Sequence, residues 1–485
     1  MNRELKRVSI VALLMFLTLL VSSTIIQYVQ AEALSADPRN SRTLYESYSV
    51  ERGPILVAGE PIAYSQPSDD NYKFQRVYAN GPLYAALTGF IPVNGEAVGL
   101  ERSLNDYLSG QSSSQFFEQL NRLISGQDPM GASVDVAIDP VLQQAAWDAL
   151  GDYTGAVIVT EPATGRILAM VTKPTYDPNA LAVHDSAQVQ ATYDGLLADP
   201  GDPLFNRATG GDMNPPGSTF KLVVTAAALE SGRYTPESTF PNPATLTLPG
   251  TDTVVRNSGG GTCGGGDVVT LANALRLSCN IPMAELGMEL GDTAIREQAE
   301  KFGFNHEFET PNIAEVSTYP RVLDEAQTGL SAFGQGDGLR ATPLQMAMVS
   351  AAIANGGIVM NPNLVDEITA PDFTPLQEFE ASEFGRAISE ETANTMVQMM
   401  VNGVETGAAS NARIDGVSVA GKTGTAENGE DDPYTLWFTG FAPADNPQYA
   451  ITVLVEDGGG LGQEGYGNLI AAPVAKQVLE AVLNK

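Results

Sequence analysis

Residues 215–221 read Pro-Pro-Gly-Ser-Thr-Phe-Lys, and an apolar run follows them up to Gly232. The Pro-Pro-Gly run ends whatever element precedes it, and the pattern after it predicts a helix that ends at Gly232. Ser218 then lies at the start of this helix, and Lys221 lies one turn later on the same face. If burial or nearby positive charge keeps the lysine neutral, its amine can take the serine proton and make the serine a nucleophile. Alone, the pattern is more typical of an N-cap serine followed by an ordinary lysine, so its meaning depends on the rest of the chain.

The composition predicts a globular protein with two or more domains. The chain has 485 residues, of which 43% are hydrophobic, and a formal net charge of -32. A chain this acidic is repelled by nucleic acid, so no nucleic-acid partner is expected. The two histidines, His184 and His306, stand outside any zinc-binding motif, and the two cysteines do not form a C-x-x-C pair. We therefore expect neither a metal nor another cofactor.

The N-terminus predicts a membrane anchor. Residues 1–7 carry positive charge, and no residue from 8 to 31 is charged. This pattern predicts a transmembrane helix at 8–30, a cytoplasmic tail at 1–7 and an extracytoplasmic remainder of a single-pass plasma-membrane protein. The alternative is a cleaved signal peptide, because Ala-Glu-Ala at 31–33 resembles a cleavage site. Either interpretation exports the rest of the chain.

The remaining sequence divides into two predicted domains. An apolar hairpin is predicted at 155–171, and three strand-like runs lie between 417 and 456 with helical segments before and after them. Strands at both ends with helices between them indicate a mixed α/β domain, which we assign to 151–485. Residues 31–150 show strand and helix signals without a catalytic constellation, and they are predicted to form a separate scaffold domain.

Two further motifs follow the opening stretch. Ser-Cys-Asn occupies 278–280 on the turn between two predicted helices, and Lys-Thr-Gly occupies 422–424 on a predicted strand. Each tripeptide alone is a weak signal. S-x-x-K, S-x-N and K-T-G in this order, on these elements, are typical of penicillin-binding transpeptidases and serine β-lactamases.

The chain resembles the class B penicillin-binding proteins, which are monofunctional D,D-transpeptidases, and most closely their actinobacterial members. The resemblance covers nearly the whole chain. Outside the three motifs it is carried by Glu-Arg-Gly at 51–53, Gly-Leu-Glu at 99–101, the stretch 163–170, Phe-Gly-Gln-Gly at 333–336 and the stretch 437–443.

This resemblance implies a fold, a location and a set of partners. The implied fold is the mixed α/β serine-β-lactamase/transpeptidase fold, with an antiparallel sheet between helices on both sides. An extended N-terminal α+β pedestal domain, related to dimerisation domains, and one transmembrane helix complete it. The implied partners are peptidoglycan stem peptides, β-lactam antibiotics, the membrane through the N-terminal helix, and proteins of cell division and cell-wall synthesis.

The resemblance also implies the reaction. Ser218 attacks the carbonyl of the penultimate D-alanine of a stem peptide, D-alanine leaves, and an acyl-enzyme remains. Lys221 is the expected base, and a positive Lys422 nearby would help to keep it neutral by like-charge repulsion. Ser278 relays the proton to the leaving amine, and Asn280 hydrogen-bonds the stem peptide and Lys221. An amine of a neighbouring strand then takes the acyl group to form a cross-link.

The same resemblance assigns the binding of the substrate. Lys422, Thr423, Gly424 and Thr425 are expected to bind it, with charge and hydroxyls directed at its terminal carboxylate. The backbone N–H groups of Ser218 and Thr425 are expected to form the oxyanion hole.

Two rival functions remain open. One is a class D-like serine β-lactamase, since Ser-Thr-Phe-Lys also occurs in those enzymes, although they are single domains that usually carry valine where this chain has Asn280. The other is a non-catalytic penicillin sensor or division scaffold that keeps the pocket.

Export of the chain permits a disulfide between Cys263 and Cys279. As a hypothesis, this bond ties the glycine-rich loop at 258–266 to the Ser-Cys-Asn motif and contributes on the order of 3 kcal/mol by closing the loop. The alternative is two separate buried thiols.

Overall fold

The computed structural model describes residues 2–26, 50–115, 119, 122, 124–126, 128–211, 213–308, 310 and 314–483. The helices are α1 Asn2–Thr24, α2 Gly81–Thr88, α3 Leu100–Ser103, α4 Asn105–Leu108, α5 Pro140–Leu150, α6 Ser186–Leu197, α7 Lys221–Glu230, α8 Leu271–Arg276, α9 Ile281–Leu290, α10 Asp292–Lys301, α11 Glu325–Ser331, α12 Pro343–Ala354, α13 Glu390–Thr406 and α14 Ala471–Leu483. The strands are β1 Ile55–Val57, β2 Glu60–Pro67, β3 Phe74–Tyr78, β4 Ser133–Val136, β5 Gly155–Thr160, β6 Ile167–Lys173, β7 Thr239–Pro241, β8 Thr245–Thr247, β9 Val254–Arg256, β10 Val268–Thr270, β11 Ile358–Met360, β12 Val365–Thr369, β13 Pro375–Glu378, β14 Glu383–Arg386, β15 Ala420–Ala426, β16 Thr435–Ala442 and β17 Tyr449–Val455.

A five-stranded sheet with the order β15-β16-β17-β5-β6 forms the centre of the larger lobe, and all of its neighbouring strands are antiparallel. Helices α5 and α14 pack on the face that carries Val157 and Val159, whereas α12 packs on the face that carries Ala156 and Ile158. Both faces are covered, which explains why β5 is a continuous apolar run instead of an alternating one. The predicted antiparallel sheet with helices on both sides is confirmed.

The smaller lobe is built on a six-stranded sheet with the order β13-β12-β4-β1-β2-β3. Strands β12 and β13 lie more than 200 residues after β4 in the chain, yet β12 pairs antiparallel with β4. The Arg166 guanidinium forms an ion pair with Asp366 and so joins the start of β6 to β12. The N-terminal sheet is therefore completed by a segment that lies within 151–485. The boundary between the two domains at residue 150 stays a prediction.

Glu101 is the centre of a buried charge cluster in the smaller lobe. Its carboxylate is fully buried and accepts from Arg52 Nε at 2.5 Å and from Arg76 Nε at 2.7 Å. Arg76 also donates to the carbonyl oxygens of Arg52 and Gly53. Burial alone would raise the pKa of Glu101, but Arg76 and Arg52 hold it below its usual value. The cluster joins the Glu-Arg-Gly stretch to β3 and to α3.

Replacing Glu101 by glutamine is expected to lower the free energy of unfolding of this lobe by about 3–5 kcal/mol, because two buried guanidinium groups lose their countercharge. Urea unfolding followed by tryptophan and tyrosine fluorescence measures the change. The matched control is Glu96→Gln, since the Glu96 side chain is 81% exposed and pairs with Arg102 at the surface. A control loss above about 1 kcal/mol, or a Glu101→Gln loss below it, would contradict this account.

Helix α1 is long and apolar enough to cross a membrane. Its window at 6–24 has a mean hydropathy of 1.9, and none of that window is buried against the rest of the protein. This agrees with the predicted anchor over the residues described. The last part of the anchor, at 27–30, and the alternative cleavage site at 31–33 lie outside the described residues.

Candidate active site

Ser218 lies in a short 3-10 turn, Gly217–Phe220, that leads directly into α7. Gly217 has a φ of 52°, and its N–H donates to the Gly334 carbonyl at 3.1 Å. A Cβ on Gly217 would lie 2.9 Å from the carbonyl carbon and oxygen of Thr425, so only glycine lets this turn approach β15 so closely. The contact brings together the two residues whose N–H groups are predicted to form the oxyanion hole.

Lys221 begins α7 and is fully buried beneath the turn. Its Nζ donates to the Ser278 carbonyl at 2.7 Å and to Asn280 Oδ1 at 2.8 Å, and it lies 3.4 Å from Ser278 Oγ. Among the described residues, these atoms are its acceptors and the Ser218 hydroxyl is not. The first and second motifs therefore meet in space through the lysine amine.

The third motif, Lys-Thr-Gly at 422–424, contacts Ser278 through Lys422. Lys422 Nζ donates to Ser278 Oγ at 2.7 Å and to the Thr423 carbonyl at 2.6 Å, and the Lys422 side chain is only 3% exposed. Ser278 has a φ of 62°, a left-handed conformation that is unfavourable for serine. This conformation places the Ser278 hydroxyl between two lysine amines, where it can pass a proton.

Both amines have lowered pKa values. Burial, and secondly the positive charge of Lys422, lower the pKa of Lys221 well below its usual value. Burial lowers the pKa of Lys422 to about 7. Burial is thus the larger of the two causes that the sequence left open for Lys221, and repulsion from Lys422 is the smaller. With either cause, Lys221 is the amine that is held neutral and able to accept a proton.

A cleft of about 370 Å³ opens beside Ser218. Of the predicted site residues, the cleft is lined by Ser218, Ser278, Asn280, Thr423, Gly424 and Thr425. The Thr423 hydroxyl donates to the Ala408 carbonyl at 2.9 Å, and the Thr425 hydroxyl accepts from the Gly467 N–H at 3.2 Å. Gly424 packs closely on the turn, since a Cβ there would lie 3.0 Å from the Pro216 carbonyl oxygen. The predicted site residues that line the cleft therefore come from three separate parts of the chain.

Asn257 is a residue of the site that the sequence motifs do not reveal. Its side-chain Oδ1 accepts from the N–H groups of Asn280 at 2.9 Å and Ile281 at 3.1 Å, and its Nδ2 donates to the Gly261 carbonyl at 3.2 Å. Asn257 therefore caps α9 and fixes the backbone of Asn280, whose own Nδ2 donates to the Arg256 carbonyl. The signal in the sequence was an asparagine after a short strand and before a glycine run, which by itself is typical of any turn.

The glycine-rich loop is joined to the second motif by a disulfide between Cys263 and Cys279, whose Cα atoms are 5.8 Å apart. The Asn242 side chain, which is almost fully buried, accepts from the Cys263 N–H and donates to the Cys263 carbonyl, both at 2.9 Å. The loop that carries Asn257 is thus fixed at both ends against the turn that carries Ser278.

Comparisons with known proteins match two family models to most of the chain. The family model described as the penicillin binding protein transpeptidase domain matches residues 155–480, and the model described as the penicillin binding protein A dimerisation domain matches residues 52–134. The chain is 40% identical to the peptidoglycan D,D-transpeptidase PbpA of Mycolicibacterium smegmatis, with all of both chains covered. It is 39% identical to PbpA of Mycobacterium tuberculosis, with 100% of this chain and 99% of that protein covered. The ceftriaxone acyl-enzyme complex of penicillin-binding protein A from M. tuberculosis has a TM-score of 0.87 and 38% identity, and the match covers 90% of this chain and all of the other.

Proposed function

This chain belongs to the penicillin-binding protein transpeptidase family, and on that premise we propose that it is a peptidoglycan D,D-transpeptidase that β-lactams inhibit by acylating Ser218. The observation that carries the proposal is the buried Lys221 amine, which lies one turn after the cleft serine with its pKa lowered by burial and by Lys422. A serine hydroxyl needs such a neutral base to become a nucleophile near neutral pH.

In the first half-reaction, Lys221 accepts the Ser218 proton while Ser218 Oγ attacks the carbonyl of the penultimate D-alanine. The N–H groups of Ser218 and Thr425 stabilise the oxyanion of the tetrahedral intermediate. The amide bond then breaks, and the proton passes from Lys221 through the Ser278 hydroxyl to the leaving nitrogen of D-alanine. The hydrogen bonds that link Lys221, Ser278 and Lys422 support this route.

In the second half-reaction, the amine of an acceptor strand attacks the ester carbonyl of the acyl-enzyme. The acceptor loses a proton to the same base, Ser218 leaves as the alcohol after regaining a proton, and a new amide joins the two strands. A β-lactam follows only the first half, because its opened ring stays attached to the acyl group and retains the leaving nitrogen.

Substrate recognition uses the cleft side of β15. We assign the terminal carboxylate to the positive charge of Lys422 and the hydroxyls of Thr423 and Thr425, with Gly424 allowing close approach of the peptide. In this assignment the Thr423 hydroxyl turns its proton from the Ala408 carbonyl to the carboxylate. Asn280 is assigned to the stem-peptide backbone. The position of Thr423, Gly424 and Thr425 along one wall of the cleft supports this assignment.

We also propose the placement of the protein in the cell. Residues 1–7 lie in the cytoplasm, 8–30 anchor the chain in the plasma membrane, 31–150 form the pedestal, and 151–485 form the extracytoplasmic transpeptidase domain. The exposed apolar surface of α1 and the disulfide support this topology, because disulfides persist outside the cytoplasm. Contacts with proteins of cell division and cell-wall synthesis are part of the same proposal, as the resemblance to the family implies.

The function is tested with a stem-peptide mimic that ends in D-Ala-D-Ala and with labelled penicillin. We expect release of free D-alanine, formation of an amide product when an amine acceptor is added, and a stable penicillin adduct. Rapid hydrolysis of penicillin with no D-alanine release would indicate a β-lactamase instead. A stable adduct without D-alanine release or amide product would indicate a sensor.

A further inference from the structure

Glu427 directly follows β15 and lines the same cleft as Ser218. Side chains of a strand alternate between two faces, so Thr423, Thr425 and Glu427 point to one side. The structure agrees, since these three residues line the cleft whereas Ala426 is fully buried. Glu427 thus continues the row of side chains that is assigned to the substrate.

Glu427 belongs to the hairpin between β15 and β16, which side-chain hydrogen bonds hold in place. Asn428 Nδ2 donates to the Pro433 carbonyl at 2.8 Å and to Thr435 Oγ1 at 3.0 Å, which closes the connection between β15 and β16. Gln463 Nε2 donates to the carbonyl oxygens of Glu430 at 2.8 Å and Asp432 at 3.0 Å. Because Asn428 closes the base of the hairpin and Gln463 holds its middle, the backbone of Glu427 has a defined position relative to β15.

A second observation places the charge of Glu427, whose side chain is exposed, near another residue of the cleft lining. Tyr434 also lines the cleft, and its pKa is raised by burial and by the negative charge of Glu427. The other charged side chain of the lining is that of Arg256, and the ion pairs of the described residues do not include one between Arg256 and Glu427. The negative charge of Glu427 is therefore available to a ligand.

The proposed reaction fixes the direction of the substrate along this row. The terminal carboxylate lies by Lys422 and Thr423, and the reacting carbonyl lies by the N–H of Thr425. The stem peptide then runs antiparallel to β15, and the residue before D-Ala-D-Ala continues towards Glu427. Each extended residue advances about 3.3–3.4 Å, so a long side chain on that preceding residue reaches the Glu427 carboxylate.

We propose that Glu427 is a specificity residue that selects stem peptides whose residue before D-Ala-D-Ala carries a cationic amine on its side chain. This inference rests on the proposed transpeptidase function and deepens it. A neutral side chain on the residue before D-Ala-D-Ala cannot form an ion pair with Glu427. A side chain that ends in a carboxylate is repelled by Glu427. Glu427 therefore ranks donors in the order cationic, neutral, anionic.

The test uses the full chain in detergent and three substrates that differ at one nitrogen. They are N-acyl-lysyl-D-alanyl-D-alanine with a free ε-amine, with an acetylated ε-amine and with a succinylated ε-amine. In the wild-type protein we expect kcat/KM for D-alanine release to fall about two- to fivefold at each step from cationic to neutral to anionic, as for ion pairs near a surface. Glu427→Gln is expected to remove this ranking, and added salt is expected to reduce it in the wild type.

The matched control is Glu430→Gln, which removes one charge from the same hairpin at an exposed position that does not line the cleft. It is expected to keep the wild-type ranking. Thermal unfolding checks that each variant is folded, and the rate of acylation of Glu430→Gln by penicillin G is expected to stay within about twofold of wild type.

Equal kcat/KM values for the three substrates in the wild type would overturn the inference while leaving the transpeptidase function intact, because D-alanine would still be released. A Glu427→Gln variant that keeps the ranking, or an equal change in ranking with Glu430→Gln, would also overturn it. Absence of D-alanine release from all three substrates would overturn the proposed function, and this inference with it.

Discussion

Replacing Ser218 by alanine is expected to abolish the covalent adduct with penicillin and the release of D-alanine from a stem-peptide mimic. The variant has no hydroxyl that can form the ester, and the next step requires that ester. The turn itself should persist, because its close contacts are made by Gly217 and Gly334 and by backbone atoms of Thr425. Mass spectrometry of the intact protein after incubation with penicillin measures the adduct directly.

Ser258→Ala is the matched control, because Ser258 is another serine that lines the same cleft. It is expected to form the adduct in full, and peptide mapping of the wild-type adduct is expected to place the added mass on residue 218. An adduct of normal yield on the Ser218→Ala variant would mean that a different nucleophile performs the reaction.

Replacing Lys221 by methionine is expected to lower the rate constant of acylation by about 10²- to 10⁴-fold, which is the usual contribution of a positioned general base. Methionine is unbranched and fills much of the same volume, but it cannot accept the Ser218 proton. It also leaves the Ser278 carbonyl and Asn280 Oδ1 without their donor, so some loss of stability is expected as well. Lys221→Arg should not restore the rate, because a guanidinium stays protonated.

Stopped-flow acylation with a fluorescent penicillin measures the rate constant, and thermal unfolding shows how much of each variant is folded. A folded Lys221→Met protein that is acylated within about tenfold of the wild-type rate would exclude Lys221 as the base.

The dependence of kcat/KM on pH in the wild type is an independent test of the roles of Lys221 and Lys422. Lys221 works as a base only when neutral, so kcat/KM should rise with pH as Lys221 loses its proton, at a pH well below that of an ordinary lysine. Lys422 attracts the substrate carboxylate only when charged, so the profile should fall again as pH rises through the pKa of Lys422, about 7. A profile that rises only in the range of an ordinary lysine would show that Lys221 is charged at neutral pH and would contradict the assignment.

Local sequence determined several parts of this protein. The hairpin of β5 and β6, the three C-terminal strands and the helix that follows the Ser-Thr-Phe-Lys stretch are encoded by short-range patterns of apolar residues, proline and glycine. Such patterns act within one element, because a strand or a helix is favoured by residues that lie next to each other in the chain. The order of the three motifs, together with the resemblance that they carry, also sufficed to choose the catalytic residues.

The arrangement of those residues depended on contacts between distant segments. Only the folded chain places the Ser278 hydroxyl between the amines of Lys221 and Lys422, and only it shows that burial is the larger cause of the lowered pKa of Lys221. Burial is a property of everything packed around a side chain, so the spacing of motifs cannot reveal it.

The same reason explains the features that the sequence did not reveal. Asn257 fixes Asn280 across 23 residues, β12 completes a sheet whose other strands come mostly from the N-terminal region, and Glu427 joins the cleft through the register of β15. The sequence by itself determined the local elements and the chemical groups, because these depend on neighbouring residues. The tertiary structure decided which groups meet and which of them carry charge, because that depends on packing between segments that are far apart in the chain.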